Sequence, residues 1–300
     1  MPEKDPRTRL SLSAGIASVM VASVLVGLKL WAVVATGALS VAASLADSAV
    51  DLVMSLAAAS AILYAARPAD EDHAFGHSSA EDLTALAQAL LVTGSAGYIA
   101  WSALDRLING GVASLGAEGT GTLVMVISIL LTLALVWWQG RVARLTGNRV
   151  VAADRLHYLG DLMPAVGAVI ALQASQHLGI TGLDSWVALL AAGVMLIGGV
   201  RIGKSAWDAL MDRRADPEII RGIAELAGSW PGIRGFHDLK TRTSGSRVFV
   251  NLHIELDGDQ SLREAHDIGA ALRREILRRW PGSDVIIHKD VAATDGQPGT

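Results

Sequence analysis

Apolar residues run in six long blocks through the first two thirds of the chain, at about residues 10–36, 40–66, 83–108, 121–138, 150–173 and 185–202. Each is near the roughly 20 residues that cross a hydrocarbon core, so the pattern predicts six membrane-spanning helices. The first block is longer than a signal-peptide core and is followed by more of the same, which makes it a retained first helix. Ser13, Gly15, Ser18, Ser44, Ser48, Gly94, Ser95 and Gly97 interrupt the blocks with small residues that allow close helix approach. After Arg214 the periodicity shortens. Residues 217–230 carry Ile219, Ile220, Ile223 and Leu226 at helical spacing, and 235–242 reads as a strand. A Thr-Ser-Gly-Ser turn leads into 247–256, where Val248, Val250, Leu252, Ile254 and Leu256 alternate with mostly polar partners, as a half-buried strand requires. An amphipathic helix over 261–280 and a strand over 284–290 complete an α-β-β-α-β order of about eighty residues, a normal size for one small domain. Met1–Arg9 is short and charged, and residues from 292 onward read as a flexible tail.

Composition agrees. Of 300 residues 51% are hydrophobic and 18% charged, with a mean hydropathy of +0.41. That is outside the range of soluble domains and suits a multi-pass membrane protein with a soluble domain attached. The chain has no cysteine, which removes disulfides, thiolate metal sites and cysteine nucleophiles, so metal chemistry must use imidazole and carboxylate. Basic residues are dispersed rather than gathered in a patch, so no nucleic-acid partner is expected. Lys4, Arg7, Arg9, Arg67, Arg141, Arg144, Arg149, Arg201, Lys204, Arg213 and Arg214 fall on one side of the predicted bundle. By the positive-inside rule that side is cytoplasmic, with both termini inside. Lys29 and Arg106, near the outer helix ends, are expected to snorkel.

Carboxylates and histidines stand inside the apolar blocks. Residues four apart on a helix are separated by about 40° and about 6 Å, so Asp47 and Asp51 share one face, as do His157 and Asp161. Together they offer three carboxylates and one imidazole, a donor set suited to tetrahedral Zn²⁺ and tolerable for Fe²⁺, Cd²⁺ or Mn²⁺. An acid at the centre of a spanning helix costs about 2.5–3.5 kcal/mol, so three cost roughly 8–10 kcal/mol unless neutralised. Pairing with arginine is the structural alternative, but Arg155 is the nearest basic group and cannot serve three acids. A bound metal, and protons once it leaves, meet the requirement, which predicts metal/proton exchange with His157 as the foremost proton carrier. Asp70, His73 and His77, just past the second block, are spaced to wrap one ion or to form an ordinary solvated loop. In the soluble region His237, His253, His266 and His288 with Asp290 suggest a one- or two-ion site, although each histidine alone reads as an ordinary polar residue. Lys289 lies between His288 and Asp290, and strand alternation turns it to the other face. His177 reads as incidental, in an outer loop without partners.

Five stretches carry a family resemblance: Ala46–Asp51, Arg67–His77, His157–Asp161, Gly235–Arg242 and Pro281–His288. On these the chain resembles the cation diffusion facilitator family, specifically its bacterial zinc and ferrous-iron efflux branch, over nearly its whole length. The resemblance implies an all-α six-helix transmembrane bundle over 10–208 and a cytoplasmic, metallochaperone-like α/β domain over 209–291. It implies a homodimer in the bacterial inner membrane that exports Zn²⁺, with Fe²⁺ or Cd²⁺ as further substrates, in exchange for protons by alternating access. It also implies a transport site of Asp47, Asp51, His157 and Asp161, a loop site of Asp70, His73 and His77, and a cytoplasmic binuclear site of His237, His253, His266, His288 and Asp290, bridged by Asp290. Some relatives interlock their subunits through a Lys after the loop-site His, where this chain has Ser79 opposite a retained Asp212. Two other functions fit parts of the pattern. A non-transporting membrane metal sensor or scaffold would need only the soluble histidines. A membrane metalloenzyme would need a base or nucleophile motif, and the sequence shows none.

Overall fold

The computed structural model describes residues 6–36, 39–109, 119–178 and 183–292. It divides into two compact units at Trp207/Asp208.

Six long helices lie in the first unit among the described residues, the end of the last crossing its boundary: α1 Pro6–Thr36, α2 Leu39–Ala65, α3 Ser79–Asn109, α4 Gly119–Thr146, α5 Arg149–Leu178 and α6 Leu183–Leu210. They outrun the hydrophobic blocks at one or both ends because amphipathic turns continue the backbone ladder after the apolar run stops. α5 thus reaches past His177, which belongs to a helix end rather than a loop. Five of the six are long and apolar enough to cross a membrane over their described residues. α5, with Asp154, Arg155 and Asp161 in its first half, is the sixth.

The outer face of the bundle is apolar, and a set of polar side chains is buried among the apolar residues of its interior. Ile16, Met20, Val24, Trp31, Trp101, Trp137, Trp186 and Leu190 are exposed, whereas Ser18, Ser48, Ser55, Gln88, Thr132, Gln139 and Asp154 are buried. Lipid accepts apolar side chains on the outside, and polar groups find partners only between helices. α1 packs on α2 and α4, α4 on α5, and α3 on α2 and α5. Gly15 brings α1 close to α2, where an added Cβ would stand 3.3 Å from Ala59. Gly199 of α6 lies against Thr93 of α3, and Gly198 against Leu156 of α5. Gly147, at φ +69, closes α4 by donating its N–H to Ala143 O at 2.9 Å. Asn148 Oδ1 then accepts the Val151 N–H at 3.1 Å and caps α5. That tight turn makes α4 and α5 antiparallel neighbours and fixes the register of α5, the helix that carries His157.

In the second unit, α7 (Pro217–Gly228) starts where Asp216 accepts the Glu218 N–H at 2.8 Å, with proline at the first helical position. β1 (Gly235–Ser244) and β2 (Arg247–Leu256) form an antiparallel hairpin through Gly245 at φ 53. α8 (Leu262–Arg279), entered by a Ser261/Glu264 capping box, returns the chain to β3 (Ser283–Val291), which pairs parallel to β2. The strand order is β1-β2-β3. Val250, Leu252, Ile254, Leu256 and Val285 meet Ile223, Leu226, Leu272 and Ile276 in one core, so α7 and α8 cover one sheet face and leave the other open.

Candidate metal centres

Among the described residues, three groups of acidic and imidazole side chains bring their ligand atoms within 4.8 Å of one another. The first lies between α2 and α5 and comprises Asp51, His157 and Asp161. His157 Nε2 is 2.9 Å from Asp51 Oδ1 and 3.8 Å from Asp161 Oδ2. The 2.9 Å contact between an imidazole nitrogen and a carboxylate oxygen is a hydrogen bond, so a proton occupies the position a cation would take between them. Next to it, Ser55 and Tyr158 join α2 to α5 through their hydroxyls at 2.8 Å, both side chains buried.

Asp47, one turn earlier on the same face of α2, is exposed and stays outside the group. Lys29 does not snorkel outward. Its Nζ donates to Ser48 Oγ at 2.6 Å, and it interacts electrostatically with Asp51, Asp47 and Asp161. Arg155 turns its Nε–H to Val136 O on α4 at 3.2 Å rather than to these acids. A lysine 18 positions from Asp47 in sequence gives no local signal, so only helix packing reveals it as the nearby cation.

The second group is the loop after α2. Asp70 Oδ1 accepts the backbone N–H groups of Asp72 at 3.1 Å and His73 at 2.7 Å, a turn that locks the carboxylate in place. The His73 N–H bond holds the Asp70 carboxyl below the usual range, so it remains an anion. His73 Nδ1 and His77 Nε2 each stand 3.2 Å from Asp70, on different carboxylate oxygens. His77 is buried at the start of α3 with its ring edge-on to Tyr64, while His73 is exposed. Asp70, His73 and His77 therefore form one constellation, not merely a solvated loop.

The third group, His237, His253 and Asp290, lies on the open face of the sheet, and His288 is joined to it through Asp290. Strand register sets His237 opposite His253, and His253 beside His288. Asp290 stands at the centre: its Oδ2 is 2.9 Å from His253 Nδ1 and 3.4 Å from His237 Nε2, and its Oδ1 is 3.2 Å from His288 Nε2. One carboxylate thus faces three imidazoles, two through Oδ2 and one through Oδ1. A bulge in β1 between His237 and Lys240, with Asp238 at φ 50, ends the regular pairing beside His237. Lys289 points the other way, as alternation requires, with its stem against Gly269 of α8.

His266 is the exception. It is exposed on α8, the helix covering the opposite face, and within one chain it does not join the group. Glu255 went unnoticed in the sequence although it shares the face of His253 two residues earlier; its Oε1 is 3.0 Å from His237 Nδ1. That contact holds the Nδ1 side of His237 toward Glu255 while Nε2 faces Asp290. Ser79, at the start of α3, and Asp212 lie in different units, and Asp212 meets Arg242 of β1 at 3.4 Å.

The model of the cation efflux transmembrane domain matches residues 15–211, and that of the cation efflux protein cytoplasmic domain matches residues 215–291. The chain belongs to the cation efflux family. The cation-efflux pump FieF of Klebsiella pneumoniae is 40% identical over 285 residues, covering 94% of this chain and 93% of that protein. FieF of Pectobacterium carotovorum is 40% identical over 282 residues with the same coverage, 94% and 93%. Among solved structures, the metal-bound C-terminal domain of the CzcD transporter from Thermotoga maritima aligns at 28% identity, covering 25% of this chain and 87% of that one, with a TM-score of 0.24. Membership of the cation efflux family makes the chain a multi-pass membrane transporter rather than an enzyme, and the resemblance read from the motifs stands.

Proposed function

We propose that this cation efflux protein is a secondary active antiporter that exports Zn²⁺, and also Fe²⁺ and Cd²⁺, from the cytoplasm in exchange for protons by alternating access. The observation that carries the reading is the His157 Nε2–Asp51 Oδ1 contact of 2.9 Å. A metal ion bound there needs the same nitrogen lone pair and the same oxygen, so metal and proton compete for one place. Asp161 supplies a further oxygen, and a side-chain rotation or a small movement of the ion brings in Asp47 as the fourth donor. A set of carboxylates and one imidazole favours Zn²⁺ without rejecting Fe²⁺ or Cd²⁺.

The working form is a homodimer in a bacterial inner membrane. Residues 1–9 form a cytoplasmic N-terminal segment, 10–208 the transmembrane domain, 209–291 a cytoplasmic metal-binding domain and 292–300 a tail. The Asp70, His73 and His77 loop is an accessory site at the cytoplasmic side. His237, His253, His288 and Asp290 form the cytoplasmic centre, with Glu255 orienting His237 and with His266 outside it.

In proteoliposomes, a pH gradient imposed without any metal gradient is expected to drive Zn²⁺ uptake, and reversing the gradient to reverse the flux. Zn²⁺ movement indifferent to pH would overturn the antiport reading, and no flux in the native protein would overturn transport itself.

Glu255→Gln separates the cytoplasmic centre from the transport site. Outer-shell carboxylates on a metal-bound histidine are worth about 10–100-fold in affinity. Zn²⁺ titration of the full chain by calorimetry is expected to show that loss in one class of sites, with the other classes unmoved. An unchanged isotherm would remove Glu255 from the centre.

A further inference from the structure

Asp154 lies on α5 one turn before His157 and is not a member of the Asp51–His157–Asp161 group. Its side chain is enclosed where α1, α4 and α5 meet, 2% exposed. Ser18 Oγ of α1 donates to Asp154 Oδ2 at 2.6 Å, and Gln139 Nε2 of α4 donates to the same oxygen at 2.7 Å. Gln139 Nε2 also donates to Ser18 Oγ at 2.8 Å, which closes the cluster. Both partners are fully buried.

The hydrogen bonding is lopsided. Asp154 Oδ2 accepts two bonds, while Oδ1, equally buried, accepts none, and Gln139 Oε1 is also buried without a donor. Arg155, the next residue, turns away to Val136 O. A carboxylate taken out of water with one oxygen unsatisfied and neutral donors on the other is costly, and a proton on Oδ1 removes the charge.

We propose that Asp154 is a second proton-carrying group of the transport cycle, protonated on Oδ1 when the metal site is empty and ionised when a divalent cation sits on Asp51, His157 and Asp161. This rests on the metal/proton exchange proposed above. Asp154 binds no metal and acts through space. The ionisable groups that interact with it are His157 and Tyr158 on its own helix and Asp51 on α2, whereas α1 and α4 face it with the neutral Ser18 and Gln139. Three residues on a helix rise about 4.5 Å, so a cation at His157 is one turn away through protein rather than water. Arrival of that cation favours the anion: the O–H bond breaks, its electron pair stays on Oδ1, and the proton passes to water admitted by the opening helices. Departure of the metal favours re-protonation. By linkage, a proton on Asp154 weakens metal binding as much as the metal weakens the proton.

The test counts protons released when Zn²⁺ is added to the purified full-length protein in weak buffer. Asp154→Asn keeps an oxygen for Ser18 and Gln139 but carries no titratable proton. The expected result is about one fewer proton released per chain and a dependence of log Kd on pH shallower by about one. Equal proton counts and equal slopes in the two proteins overturn the proposal. Should Asp154→Asn not fold, Gln139→Leu removes a donor to the anion and is expected to move the pH midpoint of proton release upward; an unmoved midpoint overturns the proposal equally. Failure here is distinguishable from failure of exchange. Loss of the antiport reading shows as pH-indifferent flux in the native protein, whereas loss of this inference alone shows as pH-driven flux in both proteins with identical proton counts.

Discussion

Asp51→Ala is expected to lower pH-driven Zn²⁺ flux by more than about 100-fold, because it removes a ligand, and even an outer-shell partner of a ligand is worth about 10–100-fold. Asp51 makes the shortest contact in the proposed transport group: its Oδ1 meets His157 Nε2 at 2.9 Å, and its side chain is only 13% exposed. Without it, His157 loses the oxygen that orients its ring, and the group retains Asp161, half exposed and 3.8 Å from the imidazole. Asp51→Asn tests charge separately from shape, since it keeps the volume and a neutral oxygen but cannot offset a divalent cation. Both variants are expected to reach the membrane in native amounts, because no core packing is lost at this position. Stopped-flow fluorescence of liposomes loaded with a Zn²⁺ indicator reads the outcome. Flux in Asp51→Ala within threefold of the native protein would place the transport site elsewhere.

Arg149→Ala carries the largest expected effect on stability, about 3–5 kcal/mol, the cost of breaking a buried ion pair. Arg149 Nη1 lies 2.6 Å from Asp82 Oδ1, and the Asp82 side chain is 1% exposed. Its Nε also donates to Ser205 Oγ at 2.9 Å, so one guanidinium ties the first turns of α3 and α5 to α6. Beside it, Asn148 Nδ2 reaches Glu81 Oε1 at 2.9 Å, both buried. Removing Arg149 takes the paired cation from the buried Asp82 carboxylate, whereas removing both charges leaves no such imbalance, so Asp82→Asn in the Arg149→Ala background is expected to recover most of the loss. Arg213→Ala is the control. Its 2.7 Å pair with Asp208 has a guanidinium side chain 57% exposed, and such pairs contribute about 0–1 kcal/mol. Thermal unfolding of the full chain in detergent compares the three. An Arg149→Ala midpoint equal to that of Arg213→Ala would show that the pair does not hold the bundle together.

Helix number and type were legible in the chain because the hydrocarbon core imposes a length on each apolar block, and the α-β-β-α-β order because strand alternation and helical spacing are local properties. The i,i+4 pairs Asp47/Asp51 and His157/Asp161 were legible for the same reason: within one helix, spacing alone decides the shared face. Pairing between helices is another matter. Lys29 with Ser48, Asp154 with Ser18 and Gln139, and Arg149 with Asp82 join residues 15 to 136 positions apart, and no local periodicity encodes them.

Local pattern along the chain thus specifies the membrane bundle, its small soluble domain and the chemistry of its donors: carboxylate and imidazole, with no thiolate. Which donors meet depends on how the helices and strands pack. That packing gathers Asp51, His157 and Asp161 but leaves Asp47 outside, draws Glu255 to His237, and puts His266 on the helix covering the far side of the sheet. The physical reason is that composition and period fix which face a residue occupies, while helix rotation and strand register fix what that face meets.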